Sequence, residues 1–363
     1  MRAALYLCAA LFSGWWLFRT LLVRTEPSAP LLGRTCPAHL DALLARAAVG
    51  PLAEPMRTRR RLYEDMGAQL ARSGLLIGTR MEQTQGLGTS SLFRMLPGPS
   101  LEAVLTPLAE PVRAVVLPFR DTRAAAALAD TVKRELAPLL PPGALWPQDP
   151  SLFHATLFHA SPHAHPVKAS GTQVALEVAA VQAAAGRLCP PQVVLERVVL
   201  TPSGNLLACW QVTDGTDPAA LRDAMRQALP RAPPPEQQTV IEPAILYTTL
   251  ARIVLSPADT KSGTAQTGAS QGSGDPGQGQ GGAEGKAAGS KGARSLRAGG
   301  VGEPAAAALR AAVDAMSAAL CGLQATLSEL WYVEEEDLLA LALGGRFVQH
   351  PAPLLCQDQP ASS

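Results

Sequence analysis

An internal repeat constrains this chain more than any other feature of its sequence. Residues 195–208 (LERVVLTPSGNLLA) and 327–340 (LSELWYVEEEDLLA) align without a gap at an offset of 132 residues. Each reads as an apolar strand, a polar turn and a second strand ending in Leu-Leu-Ala. Upstream, the tetrapeptides HATL at 154–157 and YTTL at 247–250 repeat at an offset of 93 residues. Such repetition predicts one duplicated unit.

A glycine-rich stretch explains why the two offsets differ. Residues 256–304 contain fourteen glycines, no aromatic residue, and Leu296 and Val301 as their only large aliphatic residues. Because so few apolar groups cannot offset the entropy of ordering the stretch, we expect a flexible segment. The offsets differ by 39 residues, which is close to the length of the stretch. We therefore interpret it as a disordered insertion into the second half.

Amphipathic helices recur between the strands in the same order. One apolar stripe comprises Val174, Val178, Val181, Ala185 and Leu188, and the other comprises Leu309, Val313, Met316, Leu320 and Leu323. A strand and a helix precede each tetrapeptide, at 112–119 and 122–136 and again at 206–212 and 218–229. Asp217 followed by a proline is a typical helix start. The pattern predicts an α+β, bilobed, internally duplicated domain whose tetrapeptide strands face a shared cleft across a pseudo-twofold axis.

The tetrapeptides resemble the motifs of the two-histidine (2H) phosphoesterases, which include the RNA-ligase-type cyclic phosphodiesterases. Members of that family are duplicated α+β domains whose halves each contribute a His-x-Thr/Ser motif on a central strand. FHATLF at 153–158 matches as it stands, whereas LYTTLAR at 246–252 has Tyr247 in place of the second His. The resemblance covers residues 112–345 apart from the glycine-rich stretch.

This resemblance implies metal-independent hydrolysis or binding of a phosphodiester, such as a 2′,3′-cyclic nucleotide or an RNA end, without a cofactor. It makes His154 one member of the acid/base pair, and Thr156 and Thr249 hydrogen-bond donors to the phosphate. Imidazole suits proton transfer near neutral pH because its pKa is about 6.5. Arg252 and His159, which follow the two motifs, are candidate ligand-binding residues.

Tyr247 leaves two outcomes open. A phenol has a pKa of about 10, so at pH 7 it can donate a hydrogen bond or act as an acid but is a poor base. If His154 supplies the base and Tyr247 the acid, a slow or one-directional phosphodiesterase results. Otherwise the protein is a catalytically inactive ligand-binding or interaction protein on the same fold.

Each candidate also has a purely structural interpretation. A lone His154 on an apolar strand is typical of a packed core histidine, and Arg252 is typical of a solvated sheet edge. His159 could line the mouth of the cleft. It could also share a metal ion with His163 and His165, but Pro162 and Pro166 indicate a loop and no carboxylate is close in sequence, so no metal site is predicted.

Two charged clusters read as solvated. Arg57 and the run 59–61 are followed by Glu64 and Asp65, which predicts an exposed helix face with ion pairs between neighbouring turns. Residues 334–337 (EEED) occupy the place of the polar turn in the repeat, which predicts a solvated hairpin tip.

The N-terminus predicts a single-pass membrane anchor at residues 1–24. Residues 3–23 are apolar or aromatic apart from four positions and would extend roughly 31 Å as a helix. The alternative is a cleaved secretory peptide ending near Ser13, but Trp15, Trp16 and Phe18 are bulky where a cleavage site has small residues. We expect a membrane of the secretory pathway, and the balanced flanking charges leave the orientation open.

Charge and cysteine content limit the partners. The 31 basic and 30 acidic residues leave a net charge of +1, which gives no field to attract duplex nucleic acid. Six cysteines without a CxxC spacing argue against a zinc module or a disulfide scaffold. Residues 36–111 form an unassigned helical lead-in region, 346–363 form a tail, and the oligomeric state stays open.

Overall fold

The structure is a computed structural model that describes residues 36–47, 50–76, 89–96, 100–254 and 303–357. The anchor predicted at 1–24 lies outside the described residues. The glycine-rich stretch 256–304 also lies outside them, apart from its last two residues. No helix within the described ranges combines the length and the apolar character needed to span a membrane.

The described chain is a mixed α/β protein. Its helices are α1 (Cys36–Ala47), α2 (Ala53–Ser73), α3 (Thr89–Leu92), α4 (Thr122–Glu135), α5 (Gly171–Ala185), α6 (Pro218–Ala228), α7 (Glu303–Leu320) and α8 (Ala340–Leu343). Its strands are β1 (Phe93–Leu96), β2 (Ser100–Ala103), β3 (Pro107–Pro118), β4 (Leu145–Pro147), β5 (His154–Ser161), β6 (Gln192–Leu200), β7 (Asn205–Asp214), β8 (Tyr247–Ile253), β9 (Gln324–Thr326), β10 (Glu329–Asp337) and β11 (Phe347–Pro353). Short 3₁₀ turns lie at Ala137–Leu139, Pro150–Leu152 and Pro235–Gln237.

The strands form two antiparallel sheets and a small hairpin of β1 and β2. The first sheet has the order β11-β10-β3-β5, and the second sheet has the order β4-β8-β7-β6-β9. The expected order of strand, helix, strand, helix, strand occurs as β3-α4-β5-α5-β6 and again as β7-α6-β8-α7-β10, with the short strands β4 and β9 added before β5 and β10. The last strand of each run pairs in the other sheet, because β6 lies beside β7 and β10 lies beside β3.

One continuous core joins both sheets to the helices that cover them. The predicted apolar stripes of α5 and α7 face this core. Its buried members include Val181 and Ala185 of the first stripe and Leu309, Val313, Met316 and Leu320 of the second, and the remaining residues of both stripes pack against it. Leu157 of the first sheet and Trp210 of the second belong to the same core. The predicted start of α6 is also confirmed, since the Asp217 carboxylate accepts a hydrogen bond from the amide of Ala219.

The C-terminal end of the repeat differs from the prediction. Residues 334–337 are the last part of β10 and not a hairpin tip, and alternate side chains, Glu335 and Asp337, are buried. Leu338 and Leu339 are not strand residues, since they form the turn into α8 and Leu339 has a φ of 55°. β11, which pairs with β10, lies in the residues expected as a tail. Four consecutive acids suggest solvent exposure, but the alternation of a strand turns every second one inward.

Helix α2 of the lead-in region packs on the second sheet. Arg59 is completely buried there, so the cluster 57–61 is not a fully solvated face. Arg59 donates through Nη1 to Asp217 Oδ2 (2.9 Å) and to the carbonyl of Ala244 (3.0 Å). The Tyr63 hydroxyl lies 2.7 Å from the carbonyl oxygen of Leu246 and accepts a hydrogen bond from the amide of the same residue (3.1 Å).

A disulfide bond joins Cys189, which precedes β6, to Cys356, which follows β11. Cys321 is disulfide-bonded as well, whereas Cys209 is a free, buried thiol. The expectation of no disulfide framework is therefore wrong. Cys189 and Cys356 are 167 residues apart in sequence, so no local spacing could indicate their pairing.

Candidate functional site

A cavity of about 410 Å³ lies between the inner faces of the two sheets. All six residues nominated from the sequence line it: His154, Thr156 and His159 from β5, and Tyr247, Thr249 and Arg252 from β8. The structure thus brings the first and third residues of both tetrapeptides, and the third nominated residue of each strand, to one cavity.

A β-bulge in β5 determines which residues reach the cavity. Consecutive residues 115–116 of β3 pair with Phe158 and Thr156, so Leu157 is an extra residue in β5. Strict alternation would place Phe158 on the same face as Thr156. The extra residue reverses the alternation, and His159 lines the cavity instead.

Strand β8 contains a bulge of the same kind. Consecutive residues 206–207 of β7 pair with Ala251 and Thr249, so Leu250 is the extra residue. Arg252 therefore shares the cavity face with Thr249, where alternation would have placed Ala251. Each motif strand presents three residues in the pattern x, x+2, x+5.

His154 is half-buried and has a defined tautomer. Its Nδ1 lies 2.8 Å from the carbonyl oxygen of Leu152, which can only accept a hydrogen bond, so Nδ1 carries the proton of the neutral ring and Nε2 is unprotonated. Burial lowers the pKa of His154, the hydrogen bond to Leu152 opposes this effect, and the positive charge of Arg252 adds to it. The imidazole is therefore neutral at pH 7 and can accept a proton at Nε2.

Gln148, which the sequence analysis did not identify, shares the Leu152 carbonyl with His154. Its Nε2 donates to that oxygen (3.0 Å), and its backbone amide donates to the carbonyl of the bulge residue Leu250 (3.0 Å). Gln148 lines the cavity with only 3% of its surface exposed, and its Oε1 has no hydrogen-bond partner among the described residues. No motif contains it, so only the fold could reveal it.

Arg252 is a buried cation with unused donors. It is 8% exposed, and its Nε and Nη1 atoms have no partner within the described part of the chain. Burial lowers the pKa of Arg252 to about 10, while Tyr247 and Glu335 raise it, so the guanidinium is charged at pH 7. The solvated-edge interpretation of Arg252 is wrong, because β4 pairs along the outer side of β8 and encloses it.

Tyr247 and the two threonines provide hydroxyl groups to the cavity. Burial raises the pKa of Tyr247, and the nearby Arg222 opposes this effect, so the phenol stays protonated and can donate a hydrogen bond. Thr156 and Thr249 are half-buried. They face the cavity from opposite sheets.

His159 lies deep in the cavity wall and not at its mouth. It is 3% exposed, and its Nδ1 has no partner among the residues described. Burial, with a smaller contribution from His154, lowers the pKa of His159 to about 4, so the ring is uncharged at neutral pH. The side chain of Gln238 binds its backbone, accepting from the amide (2.8 Å) and donating to the carbonyl (3.1 Å).

Glu335 of β10 is a second residue that sequence reasoning missed, because it lies within the acidic run 334–337. It lines the cavity, is 8% exposed, and accepts a hydrogen bond at Oε1 from the amide of Leu341 (2.8 Å). Burial raises the pKa of Glu335 to about 7, although the Leu341 amide and Arg252 oppose the shift. Glu335 and Arg252 form no ion pair with each other in the described structure.

Arg222 of α6 fixes the backbone of the first motif. It is 5% exposed, and it donates through Nε to the carbonyl of Leu157 (3.1 Å) and through Nη2 to that of Thr156 (3.3 Å). These are the bulge residue and its neighbour, so Arg222 stabilises the irregular backbone that turns His159 toward the cavity.

No group of three or more His, Cys, Asp or Glu side chains within the described ranges could hold a metal ion. Of the three histidines considered for such a site, His159 is buried, His163 is half-buried and His165 is exposed in the loop after β5.

No protein-family model, curated protein or solved structure matches this chain. A neutral imidazole can take up a proton, a buried guanidinium has unused donors for an anion, and a protonated phenol and two threonine hydroxyls can donate hydrogen bonds. Together they are suited to a ligand that carries an anionic ester.

Proposed function

We propose that this chain is a metal-independent phosphodiesterase of the 2H type, acting on a cyclic nucleotide or an RNA end. The observation that carries the proposal is the presence in one cavity of Arg252, with two unpaired N–H donors, and His154, with an unprotonated Nε2. A buried cation with unused donors fits the non-bridging oxygens of a phosphodiester.

The position of the two bulges supports a duplicated domain of this family. The extra residues Leu157 and Leu250 are separated by the same 93 residues that separate the tetrapeptides, as are His159 and Arg252. A shared irregularity at the same place in two strands is easier to explain by duplication than by coincidence, since bulges tend to be kept within families. On this basis we propose a pseudo-twofold axis between β5 and β8.

The residues suggest a hydrolytic sequence. His154 Nε2 takes a proton from the attacking water while the new P–O bond forms. Arg252, Thr156 and Thr249 hold the non-bridging oxygens, and Tyr247 gives its proton to the leaving oxygen as the old P–O bond breaks. Proton return from the imidazolium to the phenolate restores both groups.

A second candidate is a ligand-binding protein without turnover, and the state of Tyr247 favours it. Burial raises the pKa of this phenol above its ordinary value, which makes it a weaker acid for the leaving group. The anion site formed by Arg252 does not depend on that proton, so binding would persist.

Turnover of 2′,3′-cyclic nucleotides by the full chain in detergent, with EDTA present, tests the proposal. We expect hydrolysis that His154→Ala lowers by about 10²- to 10⁴-fold. His350→Ala is the matched control, since His350 lies on β11 and pairs with Glu334 away from the cavity. Turnover that appears only in Tyr247→His would support the binding protein, and equal loss in both alanine variants would contradict the role of His154.

We further propose that the domain is tethered to a membrane of the secretory pathway by residues 1–24 and faces its oxidising side. The Cys189–Cys356 disulfide supports this side, because disulfides persist in oxidising compartments. Protease protection of the domain in intact microsomes, lost on adding detergent, is the expected result, and digestion without detergent would contradict it.

A further inference from the structure

We propose that Gln148 determines substrate specificity by accepting a hydrogen bond from a free hydroxyl of the ligand. The cleft would then prefer a cyclic nucleotide whose ribose keeps a free hydroxyl, which is the 2′-hydroxyl in a 3′,5′-cyclic phosphate and the 5′-hydroxyl in a 2′,3′-cyclic phosphate. This inference rests on the proposed function, because it assigns the substrate class of the same site.

The orientation of the Gln148 amide follows from its contacts. Its backbone is tied to β8 through the carbonyl of Leu250, and its Nε2 donates to the carbonyl of Leu152. Because that carbonyl can only accept, the nitrogen and oxygen of the amide are not interchangeable here. The atom left without a partner is therefore Oε1, an acceptor.

Gln148 stands next to the proposed base. Its Nε2 and the Nδ1 of His154 bind the same oxygen at 3.0 and 2.8 Å, so the two nitrogens are no more than about 6 Å apart. The amide and the imidazole are thus neighbours, and both line the cavity that the ligand would occupy.

The unpaired atoms of the cavity define complementary parts of the ligand. Arg252 offers two unpaired donors, which phosphate oxygens satisfy. Gln148 Oε1 offers an unpaired acceptor, which phosphate oxygens cannot satisfy because an ionised phosphodiester has no proton to donate. A buried acceptor without a partner is unfavourable, so a ligand hydroxyl gains affinity there that a ligand without one does not.

Calorimetric titration of the full chain with two nucleotides tests this inference. Adenosine 3′,5′-cyclic phosphate has the 2′-hydroxyl as its only hydroxyl, and the 2′-deoxy analogue has none. We expect the ribonucleotide to bind about tenfold more tightly to the wild type. In Gln148→Met the two nucleotides should bind equally. A general loss of packing, or of the orientation of His154, would weaken the binding of both nucleotides and leave the ratio of their affinities unchanged.

Gln211→Met is the matched control, because Gln211 is a buried glutamine of β7 that does not line the cavity. It should keep the tenfold preference. Equal affinity of the two nucleotides for the wild type, or a preference that survives Gln148→Met, would overturn the inference while the proposed function stands. Failure of both nucleotides to bind would overturn the inference, and the turnover of 2′,3′-cyclic nucleotides would decide the proposed function separately. If Gln148→Met does not fold, equal affinity of the two nucleotides for the wild type would still overturn the inference.

Discussion

The two motif strands present the same pattern of residues to the cavity but are supported differently. Among the described strands β5 pairs only with β3, and the side chain of Gln238 binds its other edge at His159. β8 lies inside its sheet, between β4 and β7, and Tyr63 binds the backbone immediately before it. Both strands contain an extra residue directly after the threonine, and β5 has a second one at Ala160, beyond the three cavity residues. The three residues therefore face the cavity in the same pattern whether the strand is at an edge or enclosed.

The chemistry of the two strands differs more than their geometry. β5 presents imidazoles, which are neutral at pH 7 because burial lowers the pKa of His154 and of His159. β8 presents Tyr247 and Arg252, which both keep their protons at pH 7. One strand is therefore equipped to accept a proton and the other to donate hydrogen bonds. The same backbone pattern therefore carries two different chemical roles.

The largest expected effect is on the stability of the protein, and it comes from Glu335 in the first sheet. Its pKa is about 7 in the folded protein, above the ordinary 4.5, so the folded state binds the proton more tightly. The free energy of unfolding should therefore fall as the pH rises from about 4.5 through 7, by up to about 3 kcal/mol. Glu335→Gln should abolish this fall, as measured by urea unfolding at pH 5 and pH 8.

Glu336→Gln is the control, since this neighbour is half exposed and pairs with Arg346 on the surface. It should keep the pH dependence of the wild type. An unchanged dependence in Glu335→Gln would show that the carboxyl of Glu335 is not the group that titrates.

The next effect distinguishes Arg252 from His159, the last cavity residues of the two motif strands, by their contribution to ligand affinity. Arg252→Met should weaken the binding of a 2′,3′-cyclic nucleotide by about 10- to 100-fold, because it removes a charged donor from the anion. His159→Met should change the affinity by less than about threefold, since the pKa of His159, about 4, leaves it without charge at pH 7. Titration calorimetry measures both, and equal losses would mean that both strands bind the anion.

The smallest effect tests the support of β8. Tyr63→Phe should lower the free energy of unfolding by about 1–2 kcal/mol and also lower kcat, because the hydroxyl binds the backbone beside Tyr247. Tyr332→Phe is the matched control: its hydroxyl binds Glu177 of α5, outside the cavity. It should lose stability and keep kcat. Identical kinetics in the two variants would argue against a positioning role for α2.

The sequence predicted the parts of the fold that periodicity encodes. The apolar stripe of α7, the start of α6 at Asp217 and the alternation of strands and helices are confirmed, because each depends on neighbours in the chain. The bulges were not foreseen: strict alternation would have turned Phe158 and Ala251 inward, so the reason that His159 and Arg252 reach the cavity was missing.

Features that depend on distant residues could not be predicted. Arg59 is held in a buried position by Gln211 and Asp217, both more than 150 positions away, which accept hydrogen bonds from its Nε and Nη1 atoms. Gln148 gained its importance only when the fold placed it beside His154. No periodicity or spacing in a single sequence records such meetings.

The exchange of β6 and β10 between the sheets has a mechanical consequence. The first run of strands and helices ends with β6 in the second sheet, and the second run ends with β10 in the first sheet. One core is shared by both sheets. The two sides cannot swing apart without exposing part of this shared core to water. We therefore expect the width of the cleft to change little when a ligand enters, and the chain, cut between β6 and β7, to give two fragments that each require the other to fold.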